Sequence, residues 1–325
     1  MNISILGTGA YGIALSLMFY KNNNKIKMWT KFEEEKKSIL DKRMNEKVLP
    51  NIIIPDDILI SCDFESVVED ADLIVVAVPA AFVDDISIKL KSCIKKEQHV
   101  LLASKGIERD SCLFVSDIFT KHVKTKKFAV ISGPSFAIDL ATDAPVGLSL
   151  ASSNKKTMKI VKNCLENDSL KLREIKDVIG VEICGSIKNV IAIAAGILDG
   201  LGYPESTQAM FITESLNDIK ELINKLGGEK LTILSYAGFG DLLLTATSKK
   251  SRNYTFGYML GKRKSKEEID YYISNTTIEG LYTIQSIYKL LKNKKVKIPI
   301  INLIYDIIEN KKDVLELPKF LIEKK

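Results

Sequence analysis

Histidine is scarce: His99 and His122 are the only two in 325 residues. One precedes an apolar run and the other lies among lysines, so neither a histidine-based triad nor a zinc cluster finds support. Acid–base chemistry then falls to lysine or aspartate. The five cysteines, Cys62, Cys93, Cys112, Cys164 and Cys184, are far apart, odd in number and without C-x-x-C spacing. That pattern argues against a disulfide framework and a metal site. The longest apolar run, 190–198, is too short to cross a bilayer. No export signal is read before the first strand, so the expectation is a soluble cytoplasmic protein without membrane insertion. The net charge of +6 comes from scattered lysines such as Lys36–Lys37 and Lys95–Lys96, with acids interspersed. No aromatic–basic stripe accompanies them, so nucleic acid is not an expected partner.

What is present begins at the first residues, MNISILGTGAYGIAL. An apolar strand, a G-x-G-x-x-G turn and a helix form a place for a pyrophosphate. Gly7 permits the turn, Gly9 lets the backbone approach phosphate, and Gly12 lets the helix pack closely on the strand. The helix N-terminus adds free N–H groups and the positive end of its dipole. The alternative is a glycine-rich turn with a purely structural role.

Strand-like runs follow at 25–29, 58–61, 72–78, 99–104, 128–132 and 146–150. Helix-like stretches lie between them, at 33–43, 64–70, 80–92, 111–120, 135–141 and 155–166. This alternation predicts a doubly wound, mostly parallel sheet of Rossmann type. After about residue 178 the texture becomes helical, with patterns at 180–198, 207–226, 254–261, 265–274, 279–292 and 299–309. The expected organisation is an α/β dinucleotide domain over 1–178 and an all-helical substrate and catalytic domain over 179–325. A cleft between the two is the expected place for chemistry.

Four stretches carry candidate chemistry. In VAVPAAF, Pro79 directs the chain out of the sheet at a strand end, where ligands bind in such folds. In SKG and SGPSFA, Lys105, Gly133 and Ser135 stand at two further strand ends. Lys105 reads either as an exposed loop lysine or as a group that meets phosphate or a carbonyl. Ser135 reads either as a helix N-cap or as a ligand donor. Lys188 and Asn189 interrupt an otherwise apolar helix. A lysine desolvated there favours its neutral form and becomes a usable acid or base, unless it snorkels to the surface. In AGFGDLLLTATSKKSRN, Asp241 reads as an N-cap or a functional carboxylate, with Thr245 on the same helical face. Ser251, Arg252 and Asn253 open a helix, as a phosphate receptor or as a capped, solvated start.

In this order and spacing, GTGAYGIAL, ADLIVVAVP, SKG, ISGPSFA, IKNVIAIAAGILDGLG, AGFGDLLLTATSKKSRN and IEG make the chain resemble the NAD(P)-dependent glycerol-3-phosphate dehydrogenases of the soluble bacterial type. The similarity runs from the first glycines to about residue 300. It implies interconversion of dihydroxyacetone phosphate and sn-glycerol 3-phosphate with NADPH or NADH, without a metal, as a supply of glycerol 3-phosphate for phospholipid synthesis. By the same resemblance Lys188 is the proton donor and acceptor, and Asp241 and Thr245 lie around the reacting end. Lys105 contacts substrate and cofactor. Gly133, Ser135 and Asn189 line the substrate site. Ser251, Arg252 and Asn253 hold the substrate phosphate, with Arg252 also reaching the cofactor. Gly7, Gly9, Ala10, Tyr11, Gly12, Trp29, Lys31, Pro79, Ala137 and Glu279 surround the dinucleotide.

The chain also departs from that family. No acid stands directly at the end of the second strand to clasp an adenosine 2′-hydroxyl; Lys31 suits a 2′-phosphate instead, and Glu33 is the remaining acid for NAD. The expectation leans to NADPH. Glu214 stands where relatives carry Arg, GKRKS (261–265) replaces a glycine-rich turn, and Pro204, Glu205 and Ser206 replace a Gly and an Asn. These touch the oligomer surface, for which a homodimer is the expectation. Two other functions fit parts of the pattern: a hydroxyacid or ketopantoate-type reductase of the same architecture, and an NAD(P)H sensor without turnover.

Overall fold

The computed structural model describes residues 1–323, which fall into two compact units. The first comprises Met1–Lys105 and Val115–Val178; the second comprises Gly106–Phe114 and the described residues from Ile179 onward.

The first unit is built on one eight-stranded sheet. Its strands are β1 (Asn2–Leu6), β2 (Lys25–Trp29), β3 (Leu59–Ser61), β4 (Leu73–Val76), β5 (His99–Leu102), β6 (Phe128–Ser132), β7 (Val146–Ala151) and β8 (Leu170–Ile175). The order is β3-β2-β1-β4-β5-β6-β7-β8. Every pairing is parallel except β6 with β7. The crossover helices are α1 (Ala10–Lys21), α2 (Glu33–Lys42), α3 (Phe64–Val68), α4 (Val83–Cys93), α5 (Val115–His122), α6 (Ala137–Ala141) and α7 (Lys155–Leu165). Leu73 to Val76 are all buried, as a strand covered on both faces requires. One core gathers Ile3, Ile5, Leu15, Phe19, Val75, Leu101, Ile131 and Leu148 under α1, α6 and α7.

The second unit is helical: α8 (Val178–Gly200), α9 (Glu205–Lys225), α10 (Asp241–Thr247), α11 (Arg252–Gly261), α12 (Lys266–Asn275), α13 (Glu279–Asn293), α14 (Pro299–Ile308) and α15 (Glu316–Glu323). α8 is longer than the apolar run 190–198 suggests. Its 23 residues are long and apolar enough to span a bilayer, which corrects the length argument made from the sequence. Of its most apolar window, 83% is buried inside the protein, so it is the central core helix of this unit.

Three local expectations change. The stretch 106–114 is a tight loop, not the start of a helix at 111. Ile107 bridges Phe114, and the Glu108 carboxylate accepts Ser111 N–H at 2.7 Å. Strand β8 was not anticipated, nor was α15. The GKRKS stretch is a stop followed by a start. Arg263 takes a left-handed φ of 51°, and Ser265 and Glu268 close a reciprocal capping box.

Candidate active site

The glycine turn of the first unit has the shape of a phosphate cradle. Gly7 sits at φ +121°, and a Cβ there would stand 2.6 Å from the Ala77 carbonyl oxygen. A Cβ on Gly12 would collide with the Gly7 carbonyl. A Cβ on Gly9 would meet nothing within 4 Å, so the space before this exposed glycine is open. Two glycines are thus demanded by the chain itself, and the third faces room for a ligand at the start of α1. Ala10 and Tyr11 form the first turn of α1. These residues fit a dinucleotide.

The surrounding candidates differ in character. Pro79 begins a short 3₁₀ turn, with Phe82 N–H donating to its carbonyl at 2.9 Å. Trp29 is a buried wall: its Nε1 donates to the Cys62 carbonyl at 3.1 Å, and its ring meets Phe64 edge-on at 5.2 Å. Lys31 is exposed. Glu33 is exposed and bound to Lys36 at 3.0 Å, and that hydrogen bond holds its carboxyl below the usual range.

At the carboxyl ends of β5 and β6 four candidates converge. Lys105 Nζ donates to the Gly133 carbonyl at 3.2 Å and lies 5.8 Å from the Tyr11 ring centroid. Ser135 Oγ donates to the Gly133 carbonyl at 3.3 Å and lies 3.4 Å from Tyr11 Oη. Ser135 is not the N-cap of α6; Phe136 occupies that place, and Ala137 is the first helical residue. The Ser135 hydroxyl thus belongs to the Lys105–Gly133–Tyr11 cluster, and the capping alternative fails.

In the second unit, Lys188 Nζ lies 2.6 Å from Asp241 Oδ1. The Asp241 side chain is 1% exposed and that of Lys188 is 13% exposed. Asp241 is not an N-cap either. A π-helical turn, 236–240, runs directly into α10, so Asp241 is continuous with helix on both sides. Thr245 Oγ1 donates to the Asp241 carbonyl at 2.6 Å and lies 3.5 Å from Oδ1. Lys188 is therefore half of a nearly dry ion pair, not a lone amine in an apolar wall or a snorkelling one. Taking both charges out of water carries a desolvation cost that their close contact must offset.

The residue after Lys188 is locked into a polar ring. Asn189 Nδ2 donates to Glu279 Oε2 at 3.0 Å, and Asn253 Nδ2 donates to Asn189 Oδ1 at 3.0 Å. Asn253 Oδ1 accepts the backbone N–H of Gly280 at 2.8 Å. The ring joins α8, α11 and α13, so Asn189, Asn253 and Glu279 hold one another. Ser251 caps α11 by accepting Tyr254 N–H at 3.3 Å, which is the structural role weighed for it. Arg252 follows it, exposed at the first position of α11.

Sequence reading missed what presses these helices together. A Cβ on Gly196 or Gly200 of α8 would collide with the Tyr254 or Tyr258 carbonyl of α11. A Cβ on Gly257 or Gly261 of α11 would collide with the Ile193 or Ile197 carbonyl of α8. Two G-x-x-x-G pairs thus face each other with backbone in contact. The spacing was visible in the chain; only the partner helix gives it meaning.

Comparison with known proteins identifies the family of the chain. Residues 2–158 match the family model described as NAD-dependent glycerol-3-phosphate dehydrogenase N-terminus, and residues 177–319 match its C-terminus. A Fusobacterium nucleatum protein named glycerol-3-phosphate dehydrogenase [NAD(P)+] is 35% identical, covering 97% of this chain and 95% of that protein. A Leptospira biflexa protein of the same name is 36% identical over 100% of this chain and 98% of its own length. The crystal structure of glycerol-3-phosphate dehydrogenase from Coxiella burnetii superposes with a TM-score of 0.93 at 31% identity, covering 99% of each chain. The chain belongs to the NAD-dependent glycerol-3-phosphate dehydrogenase family.

Proposed function

We propose that this enzyme interconverts dihydroxyacetone phosphate and sn-glycerol 3-phosphate, with Lys188 as the group that gives a proton to the ketone oxygen and takes it back in reverse. The observation that carries this reading is the 2.6 Å contact between Lys188 and the buried Asp241. Family membership disfavours the ketopantoate-type alternative, and an intact acid–base pair disfavours a sensor without turnover.

Each chemical role follows from a physical need. Reducing a ketone requires a hydride on carbon and a proton on oxygen. The nicotinamide dinucleotide, NADH or NADPH, supplies the hydride when bound. Gly7, Gly9, Gly12, Ala10 and Tyr11 hold it in the first unit, with Pro79 and Ala137 alongside. Lys188 donates from its ammonium, and Asp241 compensates the charge that Lys188 carries and aims it. Lys105 stabilises negative charge near Gly133 and Ser135. Arg252 faces the phosphate at the start of α11, a helix end that Ser251 caps and that favours an anion. The Asn189–Asn253–Glu279 ring positions Lys188 and Arg252 without itself exchanging protons. Glycerol 3-phosphate made this way enters phospholipid synthesis.

The phosphate requirement tests the assignment. Dihydroxyacetone phosphate should drive oxidation of NADH or NADPH, and unphosphorylated dihydroxyacetone should not. Equal rates with both ketones would point to a different substrate class.

A further inference from the structure

The first turn of α2 carries three carboxylates in a row, Glu33, Glu34 and Glu35. Glu33 is tied to Lys36, but Glu35 is bound to the glycine turn itself. Glu35 Oε2 accepts the Thr8 hydroxyl at 2.7 Å and also accepts the Thr30 hydroxyl. Glu35 Oε1 accepts Asn45 Nδ2 at 3.0 Å, and the same amide nitrogen donates to the Thr8 carbonyl at 3.1 Å. Thr8, Thr30 and Asn45 are all buried, at 4%, 2% and 7% exposure. Thr8 is the residue between Gly7 and Gly9. Its hydroxyl and its carbonyl are thus gripped from behind by one carboxylate and one amide.

We infer that Glu35 is a positioning residue for the dinucleotide, bracing the glycine turn through Thr8, and is not a carboxylate that clasps the adenosine ribose. A carboxylate offers about four lone-pair positions. The chain fills three of them at Glu35, two with buried hydroxyls and one with a buried amide. A charged acceptor with several neutral donors makes the stronger class of hydrogen bond. Glycine turns lose much conformational freedom on ordering, so a brace that keeps the turn formed before the ligand arrives removes that penalty from binding. The brace acts on a part of the cradle common to NADH and NADPH. It therefore strengthens both alike and leaves the choice between them to other residues.

The inference rests on reading the Gly7–Gly12 turn as a dinucleotide cradle, so binding is measured directly, without ketone. NADH and NADPH are titrated separately by calorimetry into the wild-type protein, Glu35→Ala, Glu35→Gln and Thr8→Val. The expected result is an about tenfold weakening of both dinucleotides by Glu35→Ala, equal within about twofold, with partial recovery in Glu35→Gln, whose carbonyl still accepts. Thr8→Val, nearly isosteric, should weaken both in the same proportion even where Glu35→Ala fails to fold. At saturating cofactor, kcat and the KM for dihydroxyacetone phosphate should stay within about threefold of wild type. A loss confined to NADH, with NADPH unchanged or tighter, would identify a ribose clasp and overturn the inference. Unchanged affinity for both would overturn it as well. A wild-type protein that binds neither dinucleotide would overturn the cradle reading and the brace together.

Discussion

The Lys188 ammonium and the Asp241 carboxylate lie 2.6 Å apart on two helices, 53 residues apart in the chain, with Asp241 almost wholly buried. Neutralising the carboxylate leaves Lys188 without its counter-charge in a site that water hardly reaches. Asp241→Asn should lower kcat by about 10²-fold or more, the scale of a positioned acid–base group. It should also lower stability by about 3 kcal/mol, because a nearly buried ion pair is broken. Steady-state kinetics and urea unfolding check the two parts separately. A variant equal to wild type in both would remove Asp241 from the account.

The phosphate-binding role proposed for Arg252 gives a second expectation. Arg252→Ala should raise the KM for dihydroxyacetone phosphate by about tenfold to a hundredfold, the worth of a charge-assisted hydrogen bond. The already poor rate with unphosphorylated dihydroxyacetone should hardly change. Comparing kcat/KM for the two ketones measures this; a proportional loss on both would show that Arg252 does not read the phosphate.

The crossing of α8 and α11 predicts a stability effect. Gly257→Ala puts a methyl group into the Ile193 carbonyl, backbone against side chain with no flexible atom to yield. A cost of about 1–3 kcal/mol follows from such overpacking. Thermal unfolding should show a lower Tm for Gly257→Ala, whereas Gly227→Ala, where a Cβ has open space but φ is +93°, tests backbone strain alone.

His99 supplies a pH dependence. It is buried, with Nδ1 2.8 Å from Thr157 Oγ1, and burial, helped by the Lys127 and Lys156 charges, pushes its pKa below the usual value. The unfolded chain then binds a proton more readily than the folded one. Stability from neutral His99 is fully present above about pH 6.5 and declines as pH falls below it, towards the lowered folded pKa. Tm measured from pH 7.5 to 5 should fall less steeply for His99→Asn than for wild type. Parallel curves would assign the acid sensitivity to other groups.

Much of this architecture was legible in the chain. All seven expected strand runs, the N-terminal strand and the six after it, correspond to β1–β7 because each is a short apolar run between turn signals. β8 escaped because LKLREI alternates, with Leu170 and Leu172 buried and Lys171 and Arg173 exposed, the pattern of an edge strand and not of a doubly covered one. α15 escaped because Pro318 interrupts ELPKFLIE; it falls in the first helical turn, where a missing N–H costs little. Lys188 and Asp241 were each conspicuous, but their pairing depends on how α8 and α10 pack. Asn189 and Asn253 had the same fate: two polar residues whose meaning is one ring. Glu35 looked like one member of an acidic run, since hydrogen bonds to Thr8, Thr30 and Asn45 come only from the folded loop.

The most direct measurement is kcat for Lys188→Ala at saturating dihydroxyacetone phosphate and cofactor, beside Arg252→Ala under the same conditions. If Lys188 moves the proton, its removal lowers kcat by about 10²–10⁴-fold while Arg252→Ala acts chiefly on KM. A Lys188→Ala enzyme within about threefold of wild-type kcat, with Arg252→Ala far slower, would contradict the assignment.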